Sequence, residues 1–176
     1  MKEGRVRVLD WFSRKNPREL PTITVSVTRL VDLLDCRNFV PVRKSSNNLY
    51  VSPNELLFER HENPDIVSYV GVTFSSDGDL GFAAHFGVRH TSPPHRWKRA
   101  GNFVRITRLG FRTPNLGGGW FTRSKARHFR RDWNLLLSQI DNVVAYLDGG
   151  SPGKNIAESE IRDTVVPRQN REDTSL

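Results

Sequence analysis

Apolar positions along the chain keep two rhythms. Between Ile23 and Leu34 the rhythm is helical: Val27, Leu30, Val31 and Leu34 stand at i, i+3, i+4 and i+7, on one helical face. Thr22 or Thr24 can cap this helix by accepting a backbone N–H. Asn38 suits a left-handed terminator. The β-branched Val25 and Thr28 cost only a few tenths of a kcal/mol each, and the stripe outweighs them.

The next segments have strand composition: "FVPVRK", "NNLYVS", "NELLFERH", "IVSYVGVTFSS", "LGFAAHFGVRH" and "NFVRITRLGFR". Turn chemistry separates them, as in "SSNN", "ENPD" and "SPPH". Asp77-Gly78 can take the positive φ angles of a tight hairpin. This turn predicts antiparallel pairing of Ile66–Ser75 with Leu80–His90. Ile66, Ser68, Val70, Val72 and Phe74 form the more apolar parity of the first strand, and Phe82, Ala84, Phe86 and Val88 share a face of the second. Val104 and Ile106 give way to Leu109 and Phe111, so the parity changes at Arg108 and predicts a bulge or break.

A loop is predicted at 113–119, where three glycines follow one another. Helical rhythm then returns. Ala126, Phe129, Trp133, Leu136, Leu137, Ile140, Val143, Val144 and Leu147 form the strongest periodic stripe in the chain. Thr122 or Ser124 can start this long helix, and Gly149-Gly150 ends it. Beyond it the composition turns polar.

These patterns predict an α+β fold: four to six antiparallel strands in a sheet, with an N-terminal and a long C-terminal amphipathic helix on one face. They divide the chain into an N-terminal extension at 1–21, a single domain at 22–148 and a polar, disordered tail at 149–176. The extension has a short strand or helical turn at Val6–Phe12, and a short helix can form in the tail at Ile156–Arg162. Trp133, Leu136, Leu137, Ile140 and Val144 are expected to pack on Leu30, Leu34, Phe74 and Phe86.

Charge changes the picture through its placement. The 176 residues carry a formal charge of +8. From Arg96 to Arg131 there are eleven Lys or Arg and no Asp or Glu, so the rest of the chain is slightly acidic. The candidate binding residues are Arg96, Lys98, Arg99, Arg105, Arg108, Arg123, Lys125, Arg127, Arg130 and Arg131. Arg105 and Arg108 are read on a strand. The last five fall in the first turns of the long helix, near one another by i, i+3 and i+4 spacing. Cations there oppose the helix dipole, which favours an anionic partner drawn to Arg forks and N–H groups. Alternatively the cations form a solvated face, balanced by acids such as those in "ELLFERHENPD".

Candidate chemistry is sparse. Cys36 is the sole cysteine, which excludes an intramolecular disulfide and a cysteine zinc cage. It is read as a buried, inert thiol beside the apolar face. His85, His90 and His95 are spaced five apart, alternate along a strand and straddle Pro93-Pro94, so no metal is expected. His61 with Glu59 and Glu62 is read as a solvated hairpin end. His128 among arginines is the one candidate general base. "LGGGW" lacks the Gly-Lys-Ser/Thr of a phosphate-binding loop, and "GFAAHFG" lacks the following helix of a dinucleotide site. No cofactor is expected. The first twenty residues hold no apolar run of signal-peptide length, and no stretch of eighteen apolar residues occurs. A cytoplasmic protein without membrane attachment is the expectation.

The order "CRNFVPVRKSSNNLYV", "IVSYVGVTFSSDGDLGFAAHFGV", "GGGWF" and "NVVAYLD" resembles small bacterial α+β domains of unknown function found at polymorphic-toxin immunity loci. The resemblance spans about residues 24–148 and rests on architecture and on Phe39, Tyr50, Phe86, Gly87, Trp120 and Phe121. The chain departs from it in being basic, where many immunity proteins are acidic. The resemblance implies a non-enzymatic immunity protein that binds a toxin, and supplies no catalytic residues. The leading expectation is therefore a protein-binding protein that meets an anionic protein surface through its cationic patch. The alternative is an RNA- or DNA-binding module using the same patch, although no nucleic-acid motif is present. A third reading is a metal-independent nuclease around His128.

Overall fold

The computed structural model describes residues 20–42, 55–75, 81–93, 96–114, 116–117 and 122–161, with side chains from Val27 in the first helix and Ala126 in the second. Helix α1 spans Leu20–Asp35. It begins before Thr22, so neither Thr22 nor Thr24 stands at its N-terminus. Its end follows the sequence. Asn38 has φ +64°, Asn38 N–H donates to Asp35 O at 3.0 Å and Phe39 N–H to Leu34 O at 3.0 Å. This is a Schellman turn, and the residues after and before the cap, Phe39 and Leu34, meet in the core. Cys36 lies past the stripe, in the turn, and is exposed. The expected buried thiol is thus incorrect, because the helix ends before Cys36 can turn inward.

Six strands make one antiparallel sheet in the order β1-β2-β3-β4-β5-β8. They are β1 Val40–Val42, β2 Glu55–Asn63, β3 Ile66–Phe74, β4 Phe82–His90, β5 Trp97–Phe103 and β8 Ile156–Glu158. The expected pairing of β3 with β4 is present, with Val70 opposite Phe86 and Phe74 opposite Phe82. One sheet face carries Leu56, Phe58, Val70, Val72, Phe82, Ala84, Phe86, Val88 and Phe103 into a core shared with the helices. The other face carries a smaller cluster, Leu57, Val67 and Tyr69, with Val42 against it.

The long C-terminal helix is two helices, α2 Thr122–Ser138 and α3 Ile140–Leu147. The break sits at Gln139, whose N–H reaches Leu136 O, one residue short of the α-helical partner. Trp133, Leu136, Leu137, Ile140 and Val144 join Leu30, Leu34, Phe74 and Phe86 in the core as expected. Trp133 stands 5.0 Å from Phe82 and 5.7 Å from Phe74 between ring centroids.

Helix α3 ends on the anticipated glycines. Gly149 has φ +106°, Gly149 N–H donates to Tyr146 O and Gly150 N–H to Ala145 O, a second Schellman turn. The chain then returns to the sheet. Ile156 is buried, and β8 pairs with β5 through Phe103–Ile156, Asn102–Ala157 and Gly101–Glu158. Residues 150–161 are thus part of the fold, and Ile156–Glu158 form a strand where a short helix was anticipated. One apolar side chain and a free sheet edge suffice to dock this short segment. Residues 162–176, the expected extension at 1–19 and its Val6–Phe12 element lie outside the described residues.

Two arginines hold the end of α3 from the sheet. Arg60, Ser68, Val88 and Arg99 form one cross-strand row facing the helices. Arg60 pairs with Asp148. Arg99 donates to Tyr146 O at 2.8 Å, Gly150 O at 2.7 Å and Gly149 O at 3.0 Å. Cations at a helix C-terminus satisfy carbonyls that have no intrahelical partner and suit the dipole.

Candidate functional site

Between β5 and α2 the chain makes an excursion. Strands β6 Arg105–Ile106 and β7 Arg112–Thr113 pair as a small hairpin. Gly110 has φ +83° and donates to Thr107 O at 3.0 Å. Thr107 N–H donates to Phe111 O at 2.8 Å, and Phe111 N–H donates back to Thr107 Oγ1 at 3.0 Å. This is a three-residue loop closed by a left-handed glycine, a standard way to join two strands. The break anticipated at Arg108 is this turn, so Arg108 sits at a hairpin tip rather than on a strand.

The hairpin presents its side chains outward. Leu109 is 82% exposed and Phe111 68%. Arg108 and Arg112 flank them and are exposed. Leu109 and Phe111 are the two most exposed large apolar side chains among the described residues.

The hairpin base is tied to α2. Asp132 is fully buried, with Arg105 Nη1 3.1 Å from Oδ2, Arg131 Nε 2.8 Å from Oδ1 and Gly117 N–H 3.0 Å from Oδ2. Arg127 and Arg130 are exposed on the same helix and form no ion pair with another described residue. The hairpin surface therefore combines Arg108 and Arg112 with the apolar Leu109 and Phe111, while Arg127 and Arg130, five and two residues before Asp132, fall on the side of α2 turned away from it.

The ten candidate cations do not form one patch. Arg96 and Lys98 are exposed at the start of β5, and six residues of strand put about 20 Å between Trp97 and Phe103. Arg99 is consumed by the end of α3 and lies over Tyr146, 5.1 Å from the ring centroid. Arg105 and Arg131 neutralise Asp132. Arg123 and Lys125 lie in the first turn of α2, where no side chains are described. Sequence reasoning missed the apolar pair at the hairpin tip by reading Leu109 and Phe111 as strand positions. The signal was "TRLGFR" itself, a glycine at the fourth position of a turn between two arginines.

Two of the described histidines each meet a glutamate. His85 Nε2 lies 2.9 Å from Glu55 Oε1, and His61 Nε2 lies 3.5 Å from Glu59 Oε2. No group of three or more His, Cys, Asp or Glu that could hold a metal occurs among the described residues; His95 lies outside them. His128 is half-buried on α2. No described helix is long and apolar enough to cross a membrane. The chain matches no protein-family model, no curated protein and no solved structure.

Proposed function

We propose that the protein is a non-enzymatic binding protein, and that the Arg105–Thr113 hairpin is its contact surface for an anionic protein partner. The observation that carries this reading is the exposure of Leu109 and Phe111 between Arg108 and Arg112. Apolar anchors enter a partner's pocket and supply affinity, while surrounding cations steer the encounter and fix its register. A toxin whose active surface is acidic is the partner class that the immunity-locus resemblance implies, and such a complex works by occlusion. Neutralisation would need no chemistry from this chain.

A nucleic-acid partner is the second reading, because Phe111 between arginines also suits a base stacked on a ring. The two separate by salt. RNA or DNA affinity falls steeply with salt in proportion to the phosphates contacted, whereas an apolar-anchored protein contact falls little. The test is to compare Leu109→Ser with Phe111→Ser, and Arg108→Glu with Arg112→Glu, against the captured partner. The protein-binding reading expects the apolar pair to cost more than the charged pair at 0.15 M salt. Loss of binding from the charge reversals alone would contradict it.

A further inference from the structure

Helix α3 ends on Asp148-Gly149-Gly150. An Asp-Gly pair is chemically labile, because glycine has no side chain to shield its backbone nitrogen from the preceding carboxyl group. The Gly149 nitrogen can attack Asp148 Cγ. A C–N bond forms and water leaves, giving a five-membered succinimide. A second water then opens the ring. Addition at the main-chain carbonyl of Asp148 leaves the backbone running through the side-chain carbon, as isoaspartate. One water is lost and one gained, so nothing else is consumed.

The folded turn opposes this ring closure in three ways. Asp148 has ψ 3°, which eclipses the Gly149 nitrogen with the Asp148 nitrogen, whereas the ring needs it eclipsed with Cβ. The Gly149 N–H is engaged with Tyr146 O at 3.1 Å. The Asp148 carboxylate pairs with Arg60, which ties the side chain to the sheet. Arg60 is itself fixed: its side chain is 14% exposed, Glu62 Oε1 lies 3.3 Å from its Nη2, and its guanidinium stands 4.7 Å from the Phe39 ring centroid.

Crowding adds no further protection. The Asp148 side chain is 51% exposed, and a Cβ at Gly149 would meet no described atom within 4 Å. Water therefore reaches the turn, and helix ends open far more often than the whole fold does.

We propose that Asp148-Gly149 is a covalent ageing site, held closed by Arg60 and converted to isoaspartate when the end of α3 opens. The product matters for the strand that follows. Isoaspartate inserts one methylene into the main chain just before the carbonyls of Gly149 and Gly150, which Arg99 binds at 3.0 and 2.7 Å. Strand β8 lies beyond them, tied to β5 by Ser159 N–H to Ala100 O and Val104 N–H to Asn155 O, both at 2.8 Å. Rearrangement at Asp148 therefore loosens β8. The inference does not depend on the protein-binding reading.

The test ages the folded wild type, Arg60→Met, Arg105→Met and a synthetic 132–154 peptide in ¹⁸O-labelled water at neutral pH, below the unfolding transition. Tryptic digestion in ordinary water then releases the 132–154 fragment, whose isoaspartyl form separates by chromatography and whose label reports ring opening. Asp77-Gly78, the other Asp-Gly pair in the chain, falls in a different fragment. The free peptide is expected to rearrange at least about thirtyfold faster than the folded wild type, and Arg60→Met at least about fivefold faster. Arg105→Met, which weakens the hairpin base instead, should match the wild type. The isolated isoaspartyl protein should exchange its Ser159 and Val104 amides faster than fresh protein. Equal rates in peptide and folded wild type would overturn the proposal. So would an unchanged rate in Arg60→Met, an equal rise in Arg105→Met, or unchanged Ser159 exchange in the aged form. If Arg60→Met does not fold, Arg60→Lys, which keeps the charge but loses the guanidinium fork, takes its place under the same outcomes.

Discussion

Arg105 at the base of an exposed hairpin holds the fully buried Asp132 of α2 at 3.1 Å. That contact turns a surface excursion into a fixed platform, and it gives the acid that ends the cationic run a structural role. Breaking a buried ion pair strands the remaining charge, at a cost of about 3–5 kcal/mol. Arg131 and the Gly117 N–H remain on Asp132, so Arg105→Met is expected at the lower end, about 3 kcal/mol. Arg127→Ala should stay within about 0.5 kcal/mol, as for other exposed changes. Urea unfolding of the two variants checks the contrast, and similar costs would show that Arg105 does not hold the platform.

The row of Arg60 and Arg99 under α3 predicts a second stability effect. Arg99 makes three bonds to carbonyls at the helix end. Bonds to a charged donor are worth about 1.5–3 kcal/mol in net stability, and water replaces part of that at this half-buried position. Arg99→Leu is expected to destabilise by about 2 kcal/mol and to speed amide exchange at Gly149 and Gly150, whose N–H groups close the turn. Unchanged exchange there would place the support of α3 elsewhere.

Tyr146 gives a pH dependence with a definite sign. Burial first, then the neighbouring Glu158 carboxylate, raises its hydroxyl above the ordinary value of 10.0, with Arg99 opposing. The folded state therefore keeps this proton when the unfolded chain has begun to lose it. Stability from Tyr146 is fully present below pH 10 and falls as pH rises beyond it. Tyr146→Phe should flatten the decline in melting temperature above pH 10 without changing its course at neutral pH. An identical alkaline decline in both proteins would refute this origin.

Trp133 separates packing from polarity. It is 1% exposed and stacks on Phe129 at 5.6 Å, and its Nε1 has no hydrogen-bond partner among the described residues. Trp133→Ala should cost about 3–5 kcal/mol through the cavity left behind. Trp133→Phe also removes the unsatisfied donor, which returns part of what the lost contacts cost. A cost below about 1.5 kcal/mol is expected. Thermal unfolding distinguishes the two, and equal losses would show that the indole N–H is not a liability.

The helical faces were legible because period and caps agree. Leu30, Leu34 and Asn38 set both the stripe and the end of α1, and Gly149 marks the end of α3. The break at Gln139 was not legible, because Leu136, Ile140 and Val144 keep one phase across it. Strand β8 was missed because a docked edge needs only Ile156 and backbone. The charge run was visible, but its division was not. Arg99, Arg105 and Arg131 serve buried or terminal acceptors that lie far away in sequence or give no local pattern.

The protein-binding account is tested most directly by capture from native lysate, with and without nuclease treatment, using the wild-type chain and a Leu109→Ser, Phe111→Ser double variant. The account predicts a defined protein retained through nuclease treatment and lost with the double variant. Capture that disappears with nuclease, or that the double variant leaves unchanged, would contradict it.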